Sequence, residues 1–238
     1  MVDSEVKCLF VFDFDHTFVD GNSDTYIYQA LKENDIPNHL KQSYKEGFWT
    51  EFMQKVFIFL KNEGKMPDDI RKVLENIPLT NGMAELVSWI RKEKNECIII
   101  SDANTLFIDW ILEKNGLRNE FSNIFTNPAR INIENVIEIQ AYHSHNCLDC
   151  PINMCKRAIL EEFIGKQRNY KKIFYIGDGG NDFCPIGVLK EKDWVFARKN
   201  YCLEKKILKK NKEGVLANVS VWENGFEIIK KLEEIYQK

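Results

Sequence analysis

The sequence lacks the features that mark several large classes of protein. No apolar run approaches the roughly 20 residues of a membrane-spanning helix, so we expect no membrane span. There is no basic stripe, and the net charge of −3 comes from mixed signs throughout, so we expect no nucleic-acid partner. The N-terminal segment from Met1 to Lys7 is charged and leads into a strand, which is unlike a signal peptide, so we expect a cytoplasmic location.

A disulfide framework, internal repeats and low-complexity segments are missing as well. The seven cysteines are an odd number scattered along the chain, which is not the pattern of a disulfide-stapled secreted protein. What the chain does have is length and apolar content. Its 238 residues, 44% hydrophobic and 12% aromatic, are ample for one α/β core with a smaller insert.

The stretch from Cys8 to Thr17 organises the chain. Five apolar residues run straight into Asp13, which is typical of a strand buried on both faces. One interpretation of Asp13 and Asp15 is an Asx turn that closes the strand. The other is a nucleophilic aspartate, Asp13, with a proton-transfer partner, Asp15, two residues later. Turn chemistry rarely needs two acids and a threonine after an apolar run, so the second interpretation is favoured.

Two further apolar runs also end in polar residues. Residues 97–100 run into Ser101, and residues 173–176 run into Gly177 and Asp178. Strands alternate with helices, so the sheet should be mainly parallel, and ligands lie beyond the carboxyl ends of such strands. Ser101 alone could be a helix N-cap and the glycines a tight turn, but the strand ends taken together predict one site.

The pattern between the first two strands is helical only. Residues 22–81 carry helical apolar spacing interrupted by glycine and proline, with no strand signal. We therefore predict an α/β fold with a Rossmann-like, mainly parallel sheet flanked by helices. Residues 1–21 and 82–238 form this core, and residues 22–81 form a small all-helical cap inserted after the first strand.

The chemistry of a phosphate monoester explains these residue types. A carboxylate that approaches the phosphate is repelled unless a Mg²⁺ ion, which prefers oxygen ligands, lies between them. Asp13, Asp178 and the Asp15 backbone carbonyl are candidate ligands. Ser101 and a lysine can bind phosphate oxygens, and Asp15 can protonate the leaving alkoxide and then accept a proton from water. Asp182 can order metal-bound water or orient the lysine.

The order of these motifs resembles that of the haloacid dehalogenase superfamily, whose phosphatases form an aspartyl-phosphate. The motifs are Asp13-x-Asp15-x-Thr17, Ser101, a lysine, and Gly177-Asp178-Gly179-x-x-Asp182. The helical insert resembles the cap of the phosphoserine-phosphatase-like branch. His16 departs from the acidic or amide residue expected between Asp15 and Thr17, and we interpret it as a side chain without a catalytic role.

Longer matches, which span nearly the whole chain, resemble the PHOSPHO-type phosphatases. That family includes phosphoethanolamine/phosphocholine phosphatase and a pyridoxal-phosphate phosphatase. The matching segments are Phe12-Asp13-Phe14-Asp15, Asn22-Ser23-Asp24, Gly47-Phe48-Trp49-Thr50-Glu51-Phe52, Ile99-Ile100-Ser101-Asp102, Thr126-Asn127-Pro128 and Tyr175-Ile176-Gly177-Asp178-Gly179-Gly180-Asn181-Asp182.

This resemblance implies a function and further site residues. It implies a Mg²⁺-dependent phosphatase of small phosphomonoesters of the phosphoethanolamine, phosphocholine or pyridoxal phosphate class. It makes Lys156 the phosphate-binding lysine, although by sequence alone Lys171 and Lys172 are rivals at the wrong end of a strand. It also places substrate contacts at Asp24 and Asp102.

The two extra acids suggest what the leaving group carries. Asp24 and Asp102 are not needed for phosphoryl transfer, so a cationic head group would explain them, with Trp49 adding cation–π attraction. The alternative is that Asp24 only caps a helix and Asp102 faces solvent.

Two other functions use the same fold. One is a non-catalytic phosphometabolite-binding regulator, which the intact set of Asp13, Asp15, Ser101, Lys156 and Asp178 disfavours. The other is a phosphotransferase, which differs only in the competition between water and an alcohol acceptor. The sequence leaves the oligomeric state open.

A second cluster of metal-binding residue types precedes Lys156. It runs His143-x-His145-x-Cys147-x-x-Cys150-x4-Cys155, and the spacing of Cys147 and Cys150 is that of a zinc knuckle. His145 or Cys155 could complete a structural Zn²⁺ site. The other interpretation is a set of reduced thiols in a loop that packs on the core.

Overall fold

The computed structural model describes residues 7–166, 169–211 and 213–237. Its main sheet is six-stranded and parallel, in the order β3-β2-β1-β6-β7-β8. These strands are β1 (Leu9–Phe12), β2 (Glu96–Asn104), β3 (Asn123–Asn127), β6 (Ile173–Gly177), β7 (Trp194–Arg198) and β8 (Asn218–Trp222). The hairpin strands β4 (Ala129–Ile131) and β5 (Ile137–Ile139) pair antiparallel apart from it.

The helices of the core cover both faces of the sheet. They are α5 (Met83–Lys92), α6 (Thr105–Lys114), α7 (Lys156–Gly165), α8 (Phe183–Ile186), α9 (Cys202–Lys209) and α10 (Gly225–Tyr236). Short 3₁₀ helices lie at Arg118–Glu120 and Gly180–Asp182. Within the described residues, none of the helices combines the length and apolar character needed to cross a membrane.

Alternation along β1 explains the two layers of the core. Successive strand side chains point to opposite faces, so Phe10 and Phe12 pack with α5, α6 and α10, while Leu9 and Val11 pack with α7, α8 and α9. All four side chains are fully buried. A strand covered on both faces has no polar side, which is why this run is continuously apolar. The observed layers confirm the predicted fold class.

The segment between β1 and α5, which is described without a gap and which we call the helical segment, is mainly helical. It contains α1 (Ser23–Tyr26), a 3₁₀ helix (Ile27–Ala30), α2 (Asn38–Lys41), α3 (Trp49–Asn62) and α4 (Pro67–Leu74). The Gln54 side chain of α3 bonds to the backbone of Ile137 and Ile139 in β5, both at 3.1 Å. The hairpin therefore ties the helical segment to the core.

The strand order explains why the polar strand ends meet. β1 lies between β2 and β6, and all three run in the same direction. Asp13 therefore lies beside the end of β6, and its backbone N–H donates to the Ile176 carbonyl at 2.9 Å. Lys171 and Lys172 precede β6, so they lie at the opposite edge of the sheet.

Candidate active site

A buried lysine joins two carboxylates at the centre of the candidate site. Lys156, the first residue of α7, has its Nζ atom 2.9 Å from Asp13 Oδ1 and 2.8 Å from Asp182 Oδ1. Only 1% of the lysine side chain is exposed. Burial alone would lower its pKa, but Asp13, Asp182 and Asp102 raise the pKa above its usual value. The ammonium is therefore charged.

Both carboxylate oxygens of Asp182 accept hydrogen bonds. Its Oδ1 atom also accepts a hydrogen bond from the Tyr175 hydroxyl at 2.7 Å, and Oδ2 accepts from the N–H groups of Asp178 and Gly179 at 3.1 and 2.8 Å. A Cβ atom at position 177 would lie 2.6 Å from Asp182 Oδ2, so the turn requires Gly177. With both oxygens engaged, Asp182 is placed to orient the lysine.

Asp13, Asp178 and Asp182 form the carboxylate cluster, whose oxygens lie within 4.8 Å of one another. Among the described residues, the hydrogen bonds accepted by Asp13 and by Asp178 fall on Oδ1 alone, from Phe14 and Lys156 in one case and from Thr17 in the other.

The charge of the carboxylate cluster calls for a cation. Burial, and then Asp182, raise the pKa of Asp178 to about 7. The pKa of Asp13 is raised by the same two causes, burial first, although Lys156 opposes them. Several buried acids thus face one lysine, and their donors are all oxygen. This set fits a divalent cation that prefers oxygen ligands, as Mg²⁺ does.

Asp15 lies where the core meets the helical segment. Its two oxygens accept hydrogen bonds from the Ser23 N–H at 2.8 Å and the Ser23 hydroxyl at 3.1 Å. Burial raises the pKa of Asp15 to about 6, although the Ser23 hydrogen bonds oppose the rise. A carboxyl group with this pKa can donate a proton near neutrality and take one back.

The polar end of β2 extends further than the apolar run indicated. Ser101 is almost fully buried, and its Oγ atom accepts from the Ala103 N–H at 3.3 Å, while the strand continues to Asn104. The Asp102 carboxylate accepts hydrogen bonds from Asn153, at 3.3 Å, and from Asn181. The Asp102 carboxylate is therefore part of the hydrogen-bond network of the site.

Asp24 is a buried acid with an aromatic partner. Asn22 caps α1 through its side chain, so Asp24 is not the cap. Its Oδ2 atom accepts from the Trp49 indole N–H at 2.6 Å, while Oδ1 is buried without a partner among the described residues. Burial, and then the charge of Asp15, raise the pKa of Asp24 to about 8.

A cleft of about 570 Å³ opens between the helical segment and the core. It reaches the site through Asp102 and Asn153, and Tyr44 and Trp49 contribute aromatic surface from the helical side. The other lining residues are Glu46, Gly47, Leu148, Asp149, Cys150, Pro151, Gly180, Asn181 and Lys206.

Some residues of this arrangement were not assigned a role from the sequence. Tyr175 holds Asp182, and the Asn153 amide bridges Asp102 and Asn127. Thr17, noted only as part of the first motif, donates to Asp178 at 2.9 Å. A hydroxyl inside an otherwise apolar buried strand was a signal for Tyr175, because buried polar atoms need partners.

His16 occupies a backbone position that histidine can adopt as aspartate and asparagine do. Its φ angle is +54°, in the left-handed region that asparagine, aspartate and histidine adopt more often than other residues. The His16 carbonyl accepts from Arg198, which also pairs with Asp20 at 2.6 Å. The role of His16 that the structure shows is therefore in its backbone: a left-handed turn and a carbonyl that accepts a hydrogen bond from Arg198.

The cysteine-rich segment differs from the expected ligand set. The Sγ atoms of Cys147, Cys150 and Cys155 gather with that of Cys184, from α8, and all lie within 4.8 Å of one another. We call these four residues the thiol cluster. The pKa of Cys147 is lowered, chiefly by a hydrogen bond from the Asp149 backbone.

The two histidines considered as zinc ligands do not belong to that cluster. His143 Nε2 accepts from the Cys155 N–H at 3.1 Å. His145 uses Nδ1 to accept from the Cys147 N–H and places Nε2 2.8 Å from the Pro151 carbonyl. The histidine part of the expected set is therefore corrected, because main-chain partners occupy both rings.

A family model and the relatives of this chain all point to phosphatases. The family model described as Putative Phosphatase matches residues 8–236. The chain is 46% identical over 236 residues to pyridoxal phosphate phosphatase PHOSPHO2 of Bos taurus, covering 96% of this chain and 98% of the relative. It is 39% identical over 241 residues to phosphoethanolamine/phosphocholine phosphatase of Gallus gallus, covering 98% and 90%.

Solved structures share the fold at low sequence identity. A haloacid dehalogenase family hydrolase from Salmonella enterica superposes with a TM-score of 0.65 at 20% identity, covering 94% of this chain and 71% of that one. A substrate-bound phosphoserine phosphatase superposes with a TM-score of 0.62 at 17% identity, covering 96% and 99%. At these identities the likeness speaks for the fold alone.

Proposed function

Because the chain belongs to the Putative Phosphatase family of haloacid dehalogenase-type phosphatases, we propose that it hydrolyses small phosphomonoesters through an aspartyl-phosphate on Asp13. The observation that carries this proposal is the position of Asp13. It is buried at the end of the central strand, and its Oδ1 atom lies 2.9 Å from the buried Lys156 ammonium. A carboxylate held in this way is oriented for attack on phosphorus.

Asp13 and Asp178, with the Asp15 backbone carbonyl, would hold Mg²⁺. The ion would offset the negative charge of the phosphate and of the attacking carboxylate. Lys156 and the Ser101 hydroxyl would bind phosphate oxygens, and Asp182 would keep the lysine in position from behind. Thr17 would orient Asp178 through the hydrogen bond to its Oδ1 atom.

Asp15 would move the protons of both half-reactions. In the first, its carboxyl group protonates the leaving alkoxide as Asp13 becomes phosphorylated. In the second, its carboxylate takes a proton from the water that attacks the aspartyl-phosphate. The two hydrogen bonds from Ser23 support this role because they fix the carboxyl group at the edge of the helical segment.

The acids around the cleft favour a leaving group with a cationic nitrogen. Asp15 and Asp102 both raise the pKa of Asp24, after burial, so these acids are close enough to repel one another. A cation placed among them would relieve that repulsion and lower the pKa of Asp24. Ammonium, trimethylammonium and a protonated pyridine nitrogen share this chemistry, and Trp49 could contact any of them.

The proposal is tested by phosphate release from phosphoethanolamine, phosphocholine, pyridoxal phosphate and glycerol phosphate, with and without Mg²⁺. We expect Mg²⁺-dependent turnover that is fastest on a cationic substrate. Asp24→Asn should then lower the preference for phosphoethanolamine over glycerol phosphate by about tenfold, which corresponds to about 1.4 kcal/mol of lost charge interaction. Equal losses on both substrates would contradict the cation argument, and no release on any substrate would contradict the phosphatase assignment.

A further inference from the structure

The thiol cluster has the dimensions of a metal site. The Sγ atoms of Cys147 and Cys184 are 3.7 Å apart, and so are those of Cys150 and Cys155. A tetrahedral site with Zn–S bonds of about 2.3 Å has sulfur–sulfur edges of about 3.8 Å. A disulfide bond would bring two sulfurs to about 2.0 Å. These two distances match the edge of such a tetrahedron, all four Sγ atoms lie within 4.8 Å of one another, and all four residues are free cysteines.

We propose that Cys147, Cys150, Cys155 and Cys184 bind one structural Zn²⁺ ion through four thiolates. Four sulfur ligands in a tetrahedral arrangement favour zinc over the oxygen-preferring cations. The Asp149 backbone, which hydrogen-bonds Cys147, orients one of these sulfurs. The inference does not depend on the proposed function.

The fold gives this ion a structural task. Residues 140–155 link β5 to α7 without a helix or strand, a length at which irregular connections are uncommon in compact domains. Three of the ligands lie in this connection, and the fourth is on α8, which packs against α7. Zinc would therefore fasten the connection to the core at one point.

The fastened segment touches the candidate active site at two places. Cys155 is the N-cap residue of α7 and directly precedes Lys156. Cys150 lines the cleft together with Leu148, Asp149 and Pro151. A closed four-sulfur site has no open position for substrate, so its effect on the reaction is to position the lysine and one wall of the cleft.

The test is the metal content of the full chain, purified without a metal-affinity step. We expect one zinc per chain, and its loss in Cys184→Ser. Cys202→Ser, which removes an exposed cysteine outside the thiol cluster, is the matched control and should keep the zinc. Asp178→Asn should keep it as well, because the carboxylate cluster is a separate site.

Cobalt substitution gives a readout that does not depend on activity. Co²⁺ bound by four thiolates absorbs in the visible with thiolate charge-transfer bands, and these should vanish in Cys184→Ser. If Cys184→Ser does not fold, as judged by circular dichroism, Cys147→Ser takes its place because Cys147 lies in the irregular connection and not on a helix.

Three results would overturn the proposal. They are a zinc-free protein with reactive thiols, a mass that shows disulfides among these cysteines, and zinc that survives Cys184→Ser but is lost in Asp178→Asn. Because metal content is measured apart from turnover, an inactive protein that holds zinc would contradict the proposed function alone.

Discussion

Two groups of potential metal ligands flank the first turn of α7, and they differ in almost every property. The carboxylate cluster consists of buried acids with hard oxygen ligands, and its members follow β1 and β6 at the carboxyl edge of the sheet. The thiol cluster is soft and partly buried, and it joins a connecting segment to α8. Lys156 belongs to the first group through its ammonium and adjoins the second through Cys155.

The two ligand types suit different roles, one catalytic and one structural. Oxygen ligands that leave several positions open allow a cation to meet water and substrate, which suits a reacting centre. Four thiolates fill the coordination sphere of a zinc ion, which is typical of a structural site. If the proposed zinc site is occupied, the first residues of α7 are held by ion pairs on one side and by metal-bound thiolates on the other.

The largest expected effect on activity comes from replacing Asp13, the proposed nucleophile of the carboxylate cluster. Asp13→Asn should lower phosphate release by at least about 10³-fold, because an amide cannot form the acyl phosphate. Steady-state turnover of the folded variant measures this. In the wild type, borohydride reduction of the quenched enzyme followed by peptide mass spectrometry should locate the modified side chain at Asp13. Substantial turnover in clean Asp13→Asn would remove the covalent mechanism.

The next largest effect is expected from Lys156, which is paired with the carboxylate cluster and directly follows Cys155 of the thiol cluster. Lys156→Met should reduce kcat/KM by about 10²–10³-fold, the order found when one preorganised donor is lost. It should also destabilise the fold by about 3–5 kcal/mol, since Asp13 and Asp182 lose the ammonium that pairs with them in a buried site. Urea unfolding at pH 7 checks the second part, and Lys172→Met at the opposite edge of the sheet is the control. An unchanged unfolding midpoint would mean that the pair does not stabilise the fold.

A smaller effect comes from the thiol cluster. Cys184→Ser should raise KM severalfold and leave kcat nearly unchanged, because it loosens the segment before Lys156 without removing a reacting group. Phosphate-release kinetics over a range of substrate concentrations, with Cys202→Ser beside it, separate the two parameters. A fall in kcat with KM unchanged would instead place this cluster in the chemical step.

The sequence could predict the carboxylate cluster because topology alone assembles it. Apolar runs that end in Asp13 and Asp178 were recognisable as central strands, and neighbouring parallel strands must end at one edge. The resemblance to the PHOSPHO-type phosphatases then gave Lys156, for which Lys171 and Lys172 were rivals by sequence alone. The partners of Asp182 were out of reach, since a pattern of buried residues does not tell which atom Tyr175 offers to which neighbour.

The thiol cluster could be predicted only in part for a different reason. Cys147, Cys150 and Cys155 are close in sequence, so spacing indicated a metal site. Cys184 joins them only because α7 and α8 pack together, and no local spacing carries that information. His143 and His145 were nearer along the chain, but their ring nitrogens meet main-chain groups.

The smallest expected effect concerns Asp24, an acid without a lysine or a metal. Its folded-state pKa of about 8 lies above the usual 3.8, so the folded protein binds this proton more tightly than the unfolded chain does. The stability it contributes is complete below about pH 4 and is lost as the pH rises towards 8.

Asp24→Asn removes this loss, and its amide oxygen can still accept from Trp49. We therefore expect the variant to melt above the wild type at both pH values and by a wider margin at pH 8.5, because only the first part of the loss has accrued at pH 5. About 1 kcal/mol shifts Tm by roughly 2–4 °C in a chain of this size. Thermal unfolding at the two pH values measures the difference, and an equal offset at both would show that Asp24 is ionised in the folded protein throughout that range.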